Sequence, residues 1–486
     1  MPDQAVPSAS KPRFLPWLLL YALLIAYAST VVGPMGLHFV PMELTAAWWE
    51  FSARAFTWVH NGSDQRADWM GNLSMYVPFG FLLTGTLWPR RGAGTGAFAA
   101  ICAAFVMALA FLLSVKFAQV FFPPRTVTLN YVAAQSCGAV LGIGAFALSH
   151  GRLRRLIWQG EGGARENLRH LLQLYSVALC VFLLMPLDFA LSPNDLMGQI
   201  DKLPGILIAI PGAGRPPVVQ AVLLAAGALA TVPFGMLMVL GPRGRNRFLT
   251  AATARGFGWM ALLLALSALL ISGAPALLSL ACRTAGIALG AWSVRRLVRQ
   301  DPDQLMDRSR LLAVLAVLPY LFLLLAVNGL LSTHWRGPAE AAQTIYPLGL
   351  VPLFDYYIVT KAEAAKNIVA HAVMYAPIGL FVWLRGGRPS LALVGGLLLA
   401  FAVEAGRYLR PGLEGDINAV AVAGLAALLT ARLMPGIWWM LEGVALPRSS
   451  RLPDAMPSWR ERAAAASLLA AASAHRGQQS DDIEHF

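Results

Sequence analysis

The stretch NLSMYVPFGFLL at residues 72–83 returns as GALATVPFGMLM at 227–238 and as HAVMYAPIGLFV at 371–382, each an apolar run with Pro and Gly two residues apart. The first and third share Met75/Met374, Tyr76/Tyr375, Pro78/Pro377 and Gly80/Gly379 in register. The second keeps Pro233, Phe234 and Gly235 but loses the polar residue that opens the others. The chain therefore reads as one unit used three times with the middle copy degenerate. Function is expected where copies one and three stay polar.

Around these runs 57% of the 486 residues are hydrophobic and only 13% are charged, with a mean hydropathy of +0.60. Apolar runs near bilayer length recur throughout, at 14–33, 69–88, 95–115, 127–149, 170–190, 218–240, 256–273, 276–293, 311–331, 367–384, 390–408 and 416–434. Backbone in lipid must satisfy its own hydrogen bonds, so these twelve segments are expected as helices, four per copy. Pro78, Pro233 and Pro377 should kink theirs. The fold class is an all-α polytopic membrane protein. Expected units are a cytoplasmic tail at 1–13, repeat one at 14–149, a degenerate repeat two at 170–293, repeat three at 311–434 and a largely disordered cytoplasmic tail at 447–486, with one amphipathic helix around 458–473.

The net charge of +13 does not point to nucleic acid. Placed on this topology, the basic residues cluster in loops on one side: Arg90 and Arg91; Arg152, Arg154 and Arg155; Arg243, Arg245 and Arg247; Arg295, Arg296 and Arg299; Arg385 and Arg388. Such clusters hold loops on the cytoplasmic side against anionic lipid. Both termini are thus expected in the cytoplasm. Lys11 and Arg13, the apolar run and Ala26-Tyr27-Ala28 also fit a cleavable signal peptide. Full spans at the equivalent places in the other copies favour a retained helix. Cys102, Cys137, Cys180 and Cys282 fall in the spans without metal-ligand spacing, and neither metal nor cofactor is expected.

Outer segments at 34–68, 191–217 and 332–366 are too long for tight turns. The first and third carry aromatics (Trp48, Trp49, Trp58; Trp335, Tyr346, Tyr357) suited to the membrane interface. Polar residues gather beside these segments. Asp68 and Asn72 share a helix face in copy one, matched by Asn367 and His371 in copy three. Lys116 and Gln119 end the next helix, matched by Glu404 and Arg407. The following turns carry Arg125 and Arg410. The last helix then opens with Asn130 and Tyr131, with Gln135 a turn later, or with Asp416 and Asn418. Intramembrane polar groups are costly and tend to face a bundle interior. The middle copy offers only Gly227 and Arg283 here and reads as scaffold. Each residue also has a structural reading: Asp68 and Asp416 as helix caps, Glu404 with Arg407 as an ion pair, His371 as a packed histidine, Arg125 and Arg410 as lipid-phosphate contacts.

The ordered pattern, Asx-x3-Asn/His before aromatic-x-Pro-x-Gly, then Glu/Lys-x2-Gln/Arg, an Arg-bearing turn and a polar helix start, resembles the VanZ-like family. Its name comes from an accessory protein of glycopeptide-resistance clusters associated with teicoplanin tolerance. The resemblance covers about 68–142 and 350–427, with 186–290 as a decayed third copy. Departures are Lys116 where the family has Glu, Tyr131 where it has Asp, and Gln135 and Val420 where it has Asn. Gly138 and Gly142 keep its small residues, whereas copy three has Ala423 and Ala427. Neither copy carries the full polar set, which favours one composite site.

The resemblance implies a non-catalytic envelope protein of the bacterial inner membrane, whose partners are membrane lipids and a lipid-linked cell-wall precursor or glycopeptide. Physically, an outward-facing pocket flanked by Arg125, Arg407 and Arg410 suits a phosphate or carboxylate. Two alternatives stand beside it. One is a lipid or solute transporter or scramblase, suggested by repeats and kinked helices. The other is a membrane-embedded enzyme using His371 and Glu404, although no nucleophile pairing, HExxH or phosphate-loop motif is present.

Overall fold

In the computed structural model, residues 14–30, 39–58, 64–89, 94–122, 127–154, 163–185, 188–190, 192–240, 249–270, 276–343, 356, 359 and 361–445 are described. The expected tails at 1–13 and 447–486, the helix at 458–473 and the turn with Arg125 lie outside them.

Among the described residues the chain is all-helical apart from one isolated bridge, Phe189 with Leu270. The first third holds α1 (Phe14–Thr30), α2 (Leu44–Ala55), α3 (Asp64–Leu87), α4 (Thr95–Gln119) and α5 (Leu129–Arg154). The middle holds α6 (Ala164–Leu184), α7 (Pro193–Ile208), α8 (Pro217–Leu240), α9 (Leu249–Ala268) and α10 (Leu277–Leu297). The last third holds α11 (Pro302–Val327), α12 (Pro338–Gln343), α13 (Lys361–Leu384), α14 (Pro389–Tyr408) and α15 (Ile417–Ala445). Ten of these are long and apolar enough to cross a membrane. The two other expected spans fall on α1, which has only 17 residues, and on α3, whose first turns carry Asp64, Arg66 and Asp68. The long outer segments contain the short helices α2, α7 and α12. Helix starts follow local chemistry: Ser192 Oγ accepts the Asp195 N–H at 3.1 Å and Asp301 Oδ1 accepts that of Asp303 at 3.1 Å, each followed by Pro at the first helical position.

Proline placement explains one contact that occurs three times. Pro78, Pro233 and Pro377 sit inside α3, α8 and α13. A proline ring supplies no N–H and displaces the turn before it, leaving carbonyls there for donors on neighbouring helices. Three residues before each proline, a tyrosine from the first long helix of that third donates to the backbone: Tyr21 to Met75 O at 2.8 Å, Tyr175 to Ala230 O at 2.7 Å and Tyr320 to Met374 O at 3.0 Å. Tyr76 and Tyr375, one residue further on, are wholly buried.

Lipid gives little hydrophobic drive between helices, so close backbone approach holds them. A Cβ on Gly80 would lie 2.3 Å from Ala139 O, and one on Gly138 or Gly142 would lie 2.1 or 2.0 Å from Leu73 O or Val77 O. The α8/α10 pair repeats this geometry, with Gly235 against Ile287 O, Gly286 against Ala228 O and Gly290 against Val232 O. In the last third the approach is divided: Gly379 of α13 meets Ala427 O, and Gly396 of α14 meets Ala423 O. With Gly80 matched to Gly379, this register pairs Asn130 with Asn418. That is three residues from the pairing of Tyr131 with Asp416 that the motif suggests. Between thirds, α3 touches α13, α8 touches α11, and α6 packs along α15.

Candidate functional site

In the first third, polar residues from four helices form a connected set. Asp68 and Asn72 lie one turn apart on α3, and Asn72 Nδ2 donates to Asp68 O at 2.9 Å. This fixes the Asn72 amide so that its Oδ1 accepts from Gln135 Nε2 on α5 at 2.9 Å. Tyr131, a turn earlier on α5, donates its hydroxyl to Asp68 Oδ2 at 3.0 Å. Asp68 is thus engaged by a side chain from inside α3, which starts four residues earlier, and is not its N-cap. On α4 the ammonium of Lys116 lies 5.1 Å from the Tyr131 ring centroid and donates to Gln119 Oε1 at 3.1 Å. Gln119 Nε2 passes the chain on to Ser29 O of α1 at 3.1 Å. Lys116, Gln119, Asn72 and Gln135 are all buried. Burying a lysine is expensive unless its lost water is replaced, and this network supplies a hydrogen bond and a π face.

The last third places a different set on the matching helices. Glu404 of α14, 4% exposed, accepts from Arg407 Nη1 at 3.0 Å and from the Asp416 N–H at 2.9 Å, both through Oε2. Asp416 precedes α15, and its Oδ1 accepts the Asn418 N–H at 2.7 Å, the N-cap geometry. Asn418 is buried. His371 of α13 donates from Nδ1 to Asn367 O at 2.9 Å, which leaves Nε2 as the acceptor of the neutral ring. His371 stands within electrostatic reach of Asp416 and Arg407, and Tyr375 within reach of Glu404. His371, Tyr375, Glu404, Arg407 and Asp416 thus share one neighbourhood. Among the described residues, Glu404 Oε1, Tyr375 Oη and Gln135 Oε1 are buried without a hydrogen-bond partner.

Arg410 occupies a separate place. Its Nε donates to Gly329 O at 3.1 Å, its Nη1 donates to His334 O, and its guanidinium lies 5.8 Å from the Trp335 ring centroid. Arg336 returns the contact, with its backbone N–H on Leu409 O at 2.9 Å and its Nη2 on Arg410 O. The two arginines clamp the loop after α11 onto the turn between α14 and α15. Arg336 was not singled out from sequence; the neighbouring Trp335 was its only signal. Arg125 lies outside the described residues. Among those described, no three His, Cys, Asp or Glu side chains stand close enough to hold a metal ion.

The helices and contacts of the first third bear on its ancestry. Residues 14–150 match the VanZ/LLP1 family. The VanZ resemblance is therefore shown over α1 to α5, including the whole Asp68, Asn72, Lys116, Gln119, Tyr131 and Gln135 network. No curated protein and no solved structure matches the chain. The protein is an all-α, multi-pass membrane protein whose residues 14–150 match the VanZ/LLP1 family.

Proposed function

We propose that the chain is built from three VanZ-like repeats, 14–149, 170–293 and 311–434, and acts without catalysis in the bacterial inner membrane. In this reading both termini are cytoplasmic, and the polar sets of repeats one and three form one outward-facing site for an anionic group of a lipid-linked or cell-wall ligand. Asp68, Asn72, Gln119, Asn367, His371, Glu404, Arg407, Asp416 and Asn418 line or brace that site. Arg407 is the anion partner and Arg410 holds the adjoining loop. The contact of α3 with α13 supports a shared site, because these helices carry Asp68 and Asn72 on one side and Asn367 and His371 on the other. The threefold tyrosine-to-carbonyl bond supports the repeats.

The observation that carries the reading is the Glu404–Arg407 pair. Glu404 keeps one buried oxygen without a partner, and Arg407 keeps donors beyond the single bond to Oε2. A purely structural pair would use its hydrogen-bonding capacity more fully. Removing one member of a buried pair costs about 3–5 kcal/mol, so Glu404→Ala and Arg407→Ala should each reduce folded protein more than the double replacement. The double variant should regain abundance and remain inactive in an envelope readout such as glycopeptide susceptibility. Recovery of both abundance and activity would leave only an ion pair.

A further inference from the structure

The middle third, which sequence alone reads as scaffold, contains the strongest charge imbalance in the chain. Residues 202–300 include ten Lys and Arg and no Asp or Glu. Of these, Arg215, Arg295, Arg296 and Arg299 lie outside helices or in the last turn of one, where water and headgroups solvate them. Arg283 does not. It lies six residues into α10, about 9 Å along the axis from Leu277, and is partly buried. Among the described residues its guanidinium makes no hydrogen bond or ion pair.

The glycine contacts give the register that explains its position. Gly138 meets Leu73 O in the first third, and Gly286 meets Ala228 O in the second. Asn72 therefore corresponds to Gly227, and Gln135 to Arg283. Where α3 and α5 are joined by the hydrogen bond from Gln135 to Asn72, α8 and α10 present a glycine facing an arginine. A Cβ on Gly227 would lie 3.9 Å from Arg283 Nε, so the guanidinium passes over the space that an Asn side chain fills in the first third. The hydroxyls at this level lie against backbone carbonyls: Thr231 Oγ1 is in donor range of Ala228 O and Arg283 O, and Thr284 donates to Leu280 O. With no carboxylate in α8, α9 or α10, the counter-charge must come from outside these helices.

We propose that Arg283 is an anion site of the middle repeat, taking the phosphate of a membrane phospholipid at the seam between α8 and α10. A guanidinium presents paired N–H donors to phosphate oxygens, and a partly buried cation without a counter-ion gains most from such a partner. The flanks favour a lipid over free phosphate: Leu223 of α8 and Leu277 and Leu278 of α10 are exposed apolar side chains, suited to acyl chains beside the bound headgroup. The site is distinct from the Glu404–Arg407 neighbourhood and does not depend on its ligand.

The test is native mass spectrometry of the full chain in detergent, titrated with phosphatidylglycerol, with diacylglycerol of the same chains, and with inorganic phosphate. Wild-type protein should hold one phosphatidylglycerol tightly. Arg283→Gln, which restores the residue of the first third, should weaken that binding at least about tenfold, the loss expected for a charge-assisted hydrogen-bonded contact. Arg215→Gln, at an exposed position, should leave it unchanged. Unaltered lipid binding by Arg283→Gln, or equal retention of diacylglycerol, would overturn the proposal. Inorganic phosphate displacing the lipid at comparable concentration would overturn the lipid assignment. If Arg283→Gln fails to accumulate, Arg283→Lys decides the matter, because it keeps the charge and loses the fork. Several-fold weaker binding supports the proposal, and unchanged binding overturns it.

Discussion

Arg407 and Arg410 lie three residues apart and meet different partners. Arg407 faces a buried carboxylate, whereas Arg410 donates to the carbonyls of Gly329 and His334, 81 and 76 residues upstream. The sequence shows both as arginines near an outer turn. It cannot show that the second is held by backbone acceptors, because any residue supplies a carbonyl. Lysine at 410 would keep the charge but reach only one acceptor, so Arg410→Lys should cost about 1–2 kcal/mol of stability. Thermal unfolding in detergent should register that loss, while the envelope phenotype at matched abundance stays near wild type. Loss of the phenotype without loss of stability would return Arg410 to the ligand site. The network around Lys116 was legible in part: the Asp68/Asn72 and Lys116/Gln119 spacings gave the faces. The Tyr131 bond to Asp68 and the Gln119 bond to Ser29 O depend on helix rotation and depth, which spacing alone leaves open.

At the scale of elements, apolar run length located the long helices among the described residues, and the recurring Pro-x-Gly marked three helices that carry an internal proline. The tyrosines that bind the turns before these prolines were not legible, since Tyr21, Tyr175 and Tyr320 lie in otherwise ordinary apolar helices and their acceptors are backbone atoms. Glycine packing offers a comparison within one helix. Gly142 of α5 faces Val77 O at close range, whereas a Cβ on Gly144 would meet nothing within 4 Å. Gly144→Ala should leave stability unchanged or raise it by up to about 1 kcal/mol through helix propensity. Gly142→Ala must push α3 and α5 apart and should lower the unfolding temperature and the folded yield. Equal behaviour of the two variants would show that the backbone contact does not hold this pair together.

At the scale of the molecule, the basic clusters at one set of helix ends predict orientation. With the four native cysteines replaced, an impermeant thiol reagent applied to intact cells should label Arg54→Cys in α2 and spare Arg299→Cys after α10. The reverse pattern would invert the topology and place the polar sets toward the cytoplasm. Two neighbourhoods, one in the first third and one in the last, are joined by the contact of α3 with α13, and the central claim is that they work as one site. Residues that act as a unit have strongly non-additive effects, whereas independent sites multiply. The decisive measurement is the envelope phenotype of Asp68→Asn, His371→Ala and the double variant, all at matched membrane abundance. A single composite site predicts that each replacement alone removes most activity and that the double is no worse than the weaker single. Losses that multiply, or full activity in either single variant, would contradict it.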